Sequence, residues 1–143
     1  MKDDQVIFPF HVAVPVNNLK RALEFYQNHF DVEVGRRSEQ WVDLNLYGHQ
    51  FVLHLDEQHE ARQHINKVDG KQVPVPHYGV ILSMPEWRKL AEKLTFQQVE
   101  FVIEPYIRFE GQPGEQGTLF LLDPSGNALE FKGFEDFSQI FAS

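Results

Sequence analysis

The sequence predicts an α+β fold of two β-α-β-β-β modules forming a curved mixed sheet around a metal-binding cup. Three observations carry that reading. Strand-like and helix-like periods succeed one another in the same order twice along the chain. The openings of the two halves echo each other, FHVAV at 10–14 against PHYGV at 76–80, and so do their ends, YGHQFVLHL from Tyr47 against SGNALEF from Ser125. The chain has 143 residues, 42% of them hydrophobic, enough to bury a core in one domain of two halves.

Each element follows from its own pattern. A β-like run over 8–16 precedes a helix over 17–30, where Asn17 or Asn18 caps and Leu19, Ala22, Leu23, Tyr26 and Phe30 recur at helical spacing. Strands are then expected at 32–37, 41–47 and 50–55. The second half repeats the order with a run over 77–83. Its helix opens near Pro85 and sets Trp87, Leu90, Ala91 and Leu94 on one face. Strands follow at 99–109, 118–122 and 128–132. His77 follows His11 by 66 positions and Gly126 follows Gly48 by 78; the extra residues fall in the glycine-rich loop EGQPGEQG at 110–117. Module one covers about 8–57 and module two about 75–134, with a tail at 135–143. The intervening 58–74 is polar, has no sustained apolar period, and reads as a linker with room for a solvated helical turn.

Composition removes several function classes. No cysteine is present, which excludes disulfides, thiolate metal sites and cysteine nucleophiles. A net charge of -8 with scattered Lys and Arg argues against nucleic acid. The apolar runs fall far short of the roughly 18 residues of a membrane helix, and MKDDQ carries acid where a secretory signal carries base. The expected setting is the cytoplasm, with no membrane partner.

Seven histidines are the more informative count. Strand alternation sets Phe10, Val12, Val14 and Val16 on one face and His11, Ala13 and Pro15 on the other. By the same alternation His54, His77 and Glu130 lie opposite the face that packs on a helix. Curling the sheet would gather them in a cup. Two imidazoles and one carboxylate make a facial triad suited to Fe(II) or Mn(II), and zinc, nickel or cobalt also fit such donors. Trp41, Asp43, Asn45 and Tyr47 are expected on the same wall. His29, His59 and His64 read as solvated, and His49 as pointing away from His54.

These repeats resemble the vicinal oxygen chelate superfamily, which includes glyoxalase I, extradiol dioxygenases and bleomycin-resistance proteins. The likeness spans roughly 8–134. It rests on a His opening each module and a Glu closing the second after a DPSG turn, here His11, His77 and Glu130, the last preceded by DPSGNAL at 123–129. PYIRFEGQPGEQG and DPSGNALEFKGF look like a small extradiol-dioxygenase-like branch. The resemblance implies a divalent metal on His11, His77 and Glu130. Where glyoxalase I has a first-module carboxylate ligand, the matching residue is expected to be His54.

The implied reaction is ring cleavage of a catechol-like substrate chelated through two adjacent oxygens. His54 would serve acid–base work, Tyr106 would donate a hydrogen bond, and Arg108 would pair with a substrate acid. A glyoxalase-like lyase or isomerase, or a metal-free drug-sequestering binder, are the alternatives. Exposed sheet edges suggest a homodimer.

Overall fold

The structure is a computed structural model that describes residues 6–61 and 64–143. Its backbone divides into two compact units, residues 6–61 with Asp123–Asn127, and residues 64–122 with Ala128–Ser143. Two helices and mixed sheets make it an α+β fold, and each unit contains the expected β-α-β-β-β order.

In the first unit the elements are β1 (His11–Val16), α1 (Leu19–His29), β2 (Glu33–Arg37), β3 (Trp41–Leu46) and β4 (His49–Leu55). The sheet runs β1-β4-β3-β2, with β1 and β4 parallel and the other pairs antiparallel. Asn18 caps α1, its side chain accepting from the Arg21 amide at 2.9 Å. Ala22, Tyr26 and Phe30 are buried with Val14, Val16, Leu44, Phe51 and Leu53. Phe10, expected on this core face, instead lies just before β1 and is 68% exposed, because the inward alternation begins only within the paired strand.

The buried polar group of this unit comes from far along the chain. The Tyr26 hydroxyl donates to Asp123 Oδ2 at 2.8 Å, and the amides of Ser125 and Asn127 both donate to Asp123 Oδ1 at 2.9 Å. Asn127 Nδ2 donates to the Pro15 carbonyl at 2.8 Å, and the Asn17 amide donates to Ser125 Oγ at 3.0 Å. Burial first, and the Asp123 charge second, push the Tyr26 hydroxyl pKa well above its ordinary value.

The second unit holds β5 (His64–Val68), β6 (Lys71–Val75), β7 (His77–Tyr78), β8 (Ile81–Ser83), α2 (Met84–Phe96), β9 (Phe101–Arg108), β10 (Gln116–Leu122) and β11 (Ala128–Phe134). Its main sheet runs β7-β11-β10-β9, with β8 also paired to β11. The strand expected at 77–83 is therefore interrupted. At the break, the Gly79 backbone lies so close to Glu130 that a Cβ there would sit 1.4 Å from its carbonyl oxygen. Ser83 caps α2, and Trp87, Leu90, Ala91 and Leu94 form its buried face as expected. The Trp87 indole packs over Gly117 and Gly133, and its Nε1 donates to the Phe131 carbonyl at 2.9 Å.

The expected linker is a correction. From His64 the chain forms the antiparallel hairpin β5–β6, closed by Asp69 and Gly70, whose φ angles are 51° and 74°. Positive φ at both central residues is the signature of the hairpin turn that Asp-Gly favours. Val73 packs with Ile103 and Phe120, with Val68 and Tyr106 against them, so the hairpin covers part of the second sheet. Among the described residues no helix is long and apolar enough to cross a membrane.

Candidate metal centre

In the second unit the register decides which side chains meet. His77 pairs with Ala128 in parallel strands, so Glu130 stands two residues further along β11 on the same face. Across the antiparallel ladder, Glu130 faces Phe120, while Thr118 faces both Lys132 and Tyr106. Gly117 and Gly133, which alternate with these residues, face Trp87 of α2. His77, Thr118, Phe120 and Glu130 therefore share the face away from that helix.

His77 Nε2 lies 3.3 Å from Glu130 Oε1. His77 Nδ1 is 2.8 Å from the Pro74 carbonyl, which can only accept, so Nδ1 carries a proton. The imidazole stands edge-on to Phe120 with centroids 4.9 Å apart. Thr118 Oγ1 donates to Glu130 Oε2 at 2.5 Å, which fixes the carboxylate. The Glu130 hydrogen bond raises the His77 pKa against burial, and the Pro74 contact adds to it. Burial works to raise Glu130, but the His77 and Thr118 bonds and the Lys132 charge prevail and hold it below the ordinary carboxyl value.

With Nδ1 protonated, a neutral His77 turns the Nε2 lone pair toward a carboxylate oxygen. Two acceptors at that distance are stable only with a cation shared between or beside them, a proton or a metal ion. The donor set thus fits a divalent ion.

The first unit prepares His11 in the same way. His11 Nδ1 lies 2.7 Å from Gln50 Oε1, and Gln50 Nε2 donates to Asp43 Oδ2 at 3.3 Å. The Asp43 carboxylate orients the Gln50 amide, and the Gln50 oxygen in turn puts the His11 proton on Nδ1. Nε2 is left as the lone-pair nitrogen, the usual preparation of a metal-ligating histidine by its outer neighbours. Among the described residues, no three His, Asp or Glu side chains form one ready metal-binding group. His77 and Glu130 come together, and His11 belongs to the other unit.

His54 is not the counterpart of Glu130. His11 pairs with Gln50, so the residue two places beyond in β4 is Val52. Val52 is only 4% exposed and offers no donor. His54 is exposed, lies between Pro15 and Trp41, and stands about 13 Å along the strand from Gln50. Counting from the turn glycines points to the same residue: Glu130 is the fourth after Gly126, and Val52 the fourth after Gly48.

Tyr106 and Arg108 do share a face, and the acid they meet is in the hairpin turn. The Tyr106 hydroxyl donates to Asp69 Oδ2 at 3.1 Å and Arg108 Nε donates to the same oxygen at 2.6 Å. Lys71 Nζ stands 4.8 Å from the Tyr106 ring centroid. Arg108 is the largest cause of an Asp69 pKa below the ordinary value. Burial, then Asp69, raises the Tyr106 pKa.

Other histidines depart from the solvated reading. His59 is half-buried, with Nε2 lacking a partner among the described residues, and His29 packs against Phe25 at 4.7 Å. His49 Nδ1 accepts from the Phe10 amide at 2.8 Å. The His64 side chain lies outside the described residues.

Residues 9–131 match the family model of the Glyoxalase/Bleomycin resistance protein/Dioxygenase superfamily. No curated protein matches the sequence. Among solved structures, a glyoxalase/bleomycin resistance protein/dioxygenase from Alicyclobacillus acidocaldarius is 27% identical with a TM-score of 0.77, covering 94% of this chain and 96% of that one. The lactoylglutathione lyase of Agrobacterium tumefaciens is 16% identical, with a TM-score of 0.64 over 94% and 97% of the two chains. The fosfomycin resistance protein FosX of Listeria monocytogenes, in complex with Mn(II) and sulfate, is 14% identical with a TM-score of 0.60 over 91% and 94%. The last two likenesses are of fold.

Proposed function

The chain belongs to the glyoxalase/bleomycin resistance protein/dioxygenase superfamily, and on that premise we propose that it is a metal-dependent enzyme with His77, Glu130 and His11 as ligands. One observation carries this reading. Both imidazoles commit Nδ1 to a fixed acceptor and keep Nε2 for a cation, and one of them faces a carboxylate. Bound there, Fe(II) or Mn(II), or less favourably zinc, nickel or cobalt, would supply Lewis acidity and a template for two adjacent substrate oxygens.

The reaction we assign is oxygen-dependent ring cleavage of a catechol-like substrate. Val52 supports it over glyoxalase-like chemistry, because an apolar residue where a fourth protein ligand would stand keeps the protein ligands to three. Within this reading Arg108 pairs with an acidic group of the substrate and the Tyr106 hydroxyl donates to it. His54, an exposed imidazole on β4, is assigned to proton transfer. The setting is a cytoplasmic homodimer acting on a small molecule.

Anaerobic reconstitution with Fe(II), followed by oxygen-electrode and absorbance assays over a catechol panel, tests the reaction. Oxygen uptake with a yellow ring-fission product is expected. An iron-loaded, folded protein that consumes no catechol refutes it, and loss of a methylglyoxal–thiol adduct without oxygen uptake would select the lyase chemistry instead. Stoichiometric metal binding that survives His11→Ala with Glu130→Ala would refute the ligand set.

A further inference from the structure

The hairpin turn places a carboxylate against two donors on the open face of the second sheet. Tyr106 and Arg108 both donate to one oxygen of Asp69, and Lys71 lies over the Tyr106 ring. In the ladder Tyr106 faces Thr118, the residue that holds Glu130, and Arg108 faces Gln116. A groove of about 580 Å³, lined by Lys71, Gln72, Pro74, Ile103 and Tyr106 among others, runs beside this cluster. That volume lies within the range of small-molecule sites.

Gln116 shows that the cluster is incomplete. The residue is 7% exposed, Nε2 donates to the Gly114 carbonyl at 3.1 Å, and Oε1 is buried without a partner among the described residues. The Gly114 bond fixes the amide, so the acceptor cannot be exchanged for a donor by a flip. Register places Gln116 directly across the ladder from Arg108, so the two side chains leave the sheet on the same face. A buried acceptor in this position calls for an N–H or O–H, and none of the described residues supplies it.

We propose that Asp69 is a built-in stand-in for a substrate carboxylate. Tyr106, Arg108 and Gln116 form a subsite for an acid bearing a neighbouring hydroxyl or amino donor, and the turn yields that subsite when such an acid binds. The acid displaces Asp69 from Tyr106 and Arg108 while its donor satisfies Gln116. Displacement is feasible because Asp69 is 38% exposed and part-exposed ion pairs are weakly held. This inference deepens the functional reading above by naming a substrate class, and it rests on that reading only for the face being used.

The probe is 2-aminobenzoate, followed by its own fluorescence anisotropy on the full chain. Asn tolerates the φ of 51° at position 69, so Asp69→Asn keeps the turn while removing the competing charge. Asp69→Asn is expected to bind the probe about tenfold more tightly than the unaltered protein, because the competent state no longer waits on release of the turn. Adding Arg108→Gln should abolish the gain. Benzoate should compete less well than 2-aminobenzoate, with Gln116→Leu erasing the difference. In the unaltered protein, saturating probe should raise amide hydrogen exchange over residues 67–72. An Asp69→Asn variant that binds no more tightly, or a gain that survives Arg108→Gln, overturns the proposal. If these gains hold while every catechol is left intact, the subsite stands and the assigned reaction falls.

Discussion

Replacing Gly79 by alanine should cost both stability and the metal. The added Cβ would lie 1.4 Å from the Glu130 carbonyl oxygen, 2.5 Å from its carbon and 3.3 Å from its nitrogen. Contact becomes ordinary at 3.4 Å, so one backbone must retreat by about 2 Å. Neither can do so freely. His77 and Tyr78 pair with β11 on one side of Gly79, Ile81 to Ser83 pair with it on the other, and the Lys132 amide donates to Val80 at 3.2 Å. Overpacking against backbone should reach the upper end of the usual penalty, about 3 kcal/mol. Glu130, or the strand carrying His77, then moves by an ångström or more, and a misplacement of that size costs about 100-fold in a geometry-dependent function.

Urea denaturation and Mn(II) titration would measure the two effects separately. Gly111→Ala is the control, with φ of +74° and nothing within 4 Å of its Cβ. It should lose about 1–2 kcal/mol through backbone strain while keeping its metal affinity. A Gly79→Ala protein that matches the unaltered chain in both stability and Mn(II) affinity would refute the close-approach reasoning.

Gln50→Ala should lower Mn(II) affinity by about 10–100-fold without unfolding the protein, because His11 loses the acceptor that fixes its tautomer; isothermal titration against the unaltered chain reads this. Tyr26→Phe should lose about 1.5–3 kcal/mol in urea denaturation, the usual worth of a hydrogen bond to a charged group, and an unchanged midpoint would contradict the buried bond to Asp123. The Asp69 carboxyl is depressed in the folded chain, so its support of the hairpin is complete above its ordinary value of 3.8 and fades as pH falls through the lower folded value. Amide exchange in the turn should therefore depart from its intrinsic pH dependence only in strong acid, and departure beginning near neutrality would contradict the Arg108 link.

Helical periods and caps were legible because they are local: Asn18, Pro85 and the faces of both helices needed no tertiary information. The hairpin at 64–75 was hidden by its composition. Asn66, Lys67, Lys71 and Gln72 give it a polar surface, and its apolar anchors Val68 and Val73 find their partners on β9 and β10, roughly 30–50 residues away. Asp69-Gly70 was nonetheless a readable hairpin signal. His77 and Glu130 were found by repeat and alternation, which give the face of each residue. Register, which alternation does not give, sets Val52 rather than His54 at the position matching Glu130, and the count from the turn glycines was the sequence signal for it. Gln50, Thr118 and Gln116 carried no motif, since their roles come from what lies across the ladder.

The turn Asp123–Asn127 has a consequence for the order in which the chain can fold. It is made after most of the second unit, yet it belongs to the first, joined to Tyr26, Asn17 and Pro15 across sequence separations of 97, 108 and 112 residues. Such distant closures are slow compared with the local pairing of β2, β3 and β4. During synthesis the Tyr26 hydroxyl emerges about a hundred residues before its acceptor exists. The N-terminal unit thus starts to leave the ribosome before the second unit but is completed only once most of the second has emerged, and a fragment ending before Asp123 leaves Tyr26 without the carboxylate its burial requires.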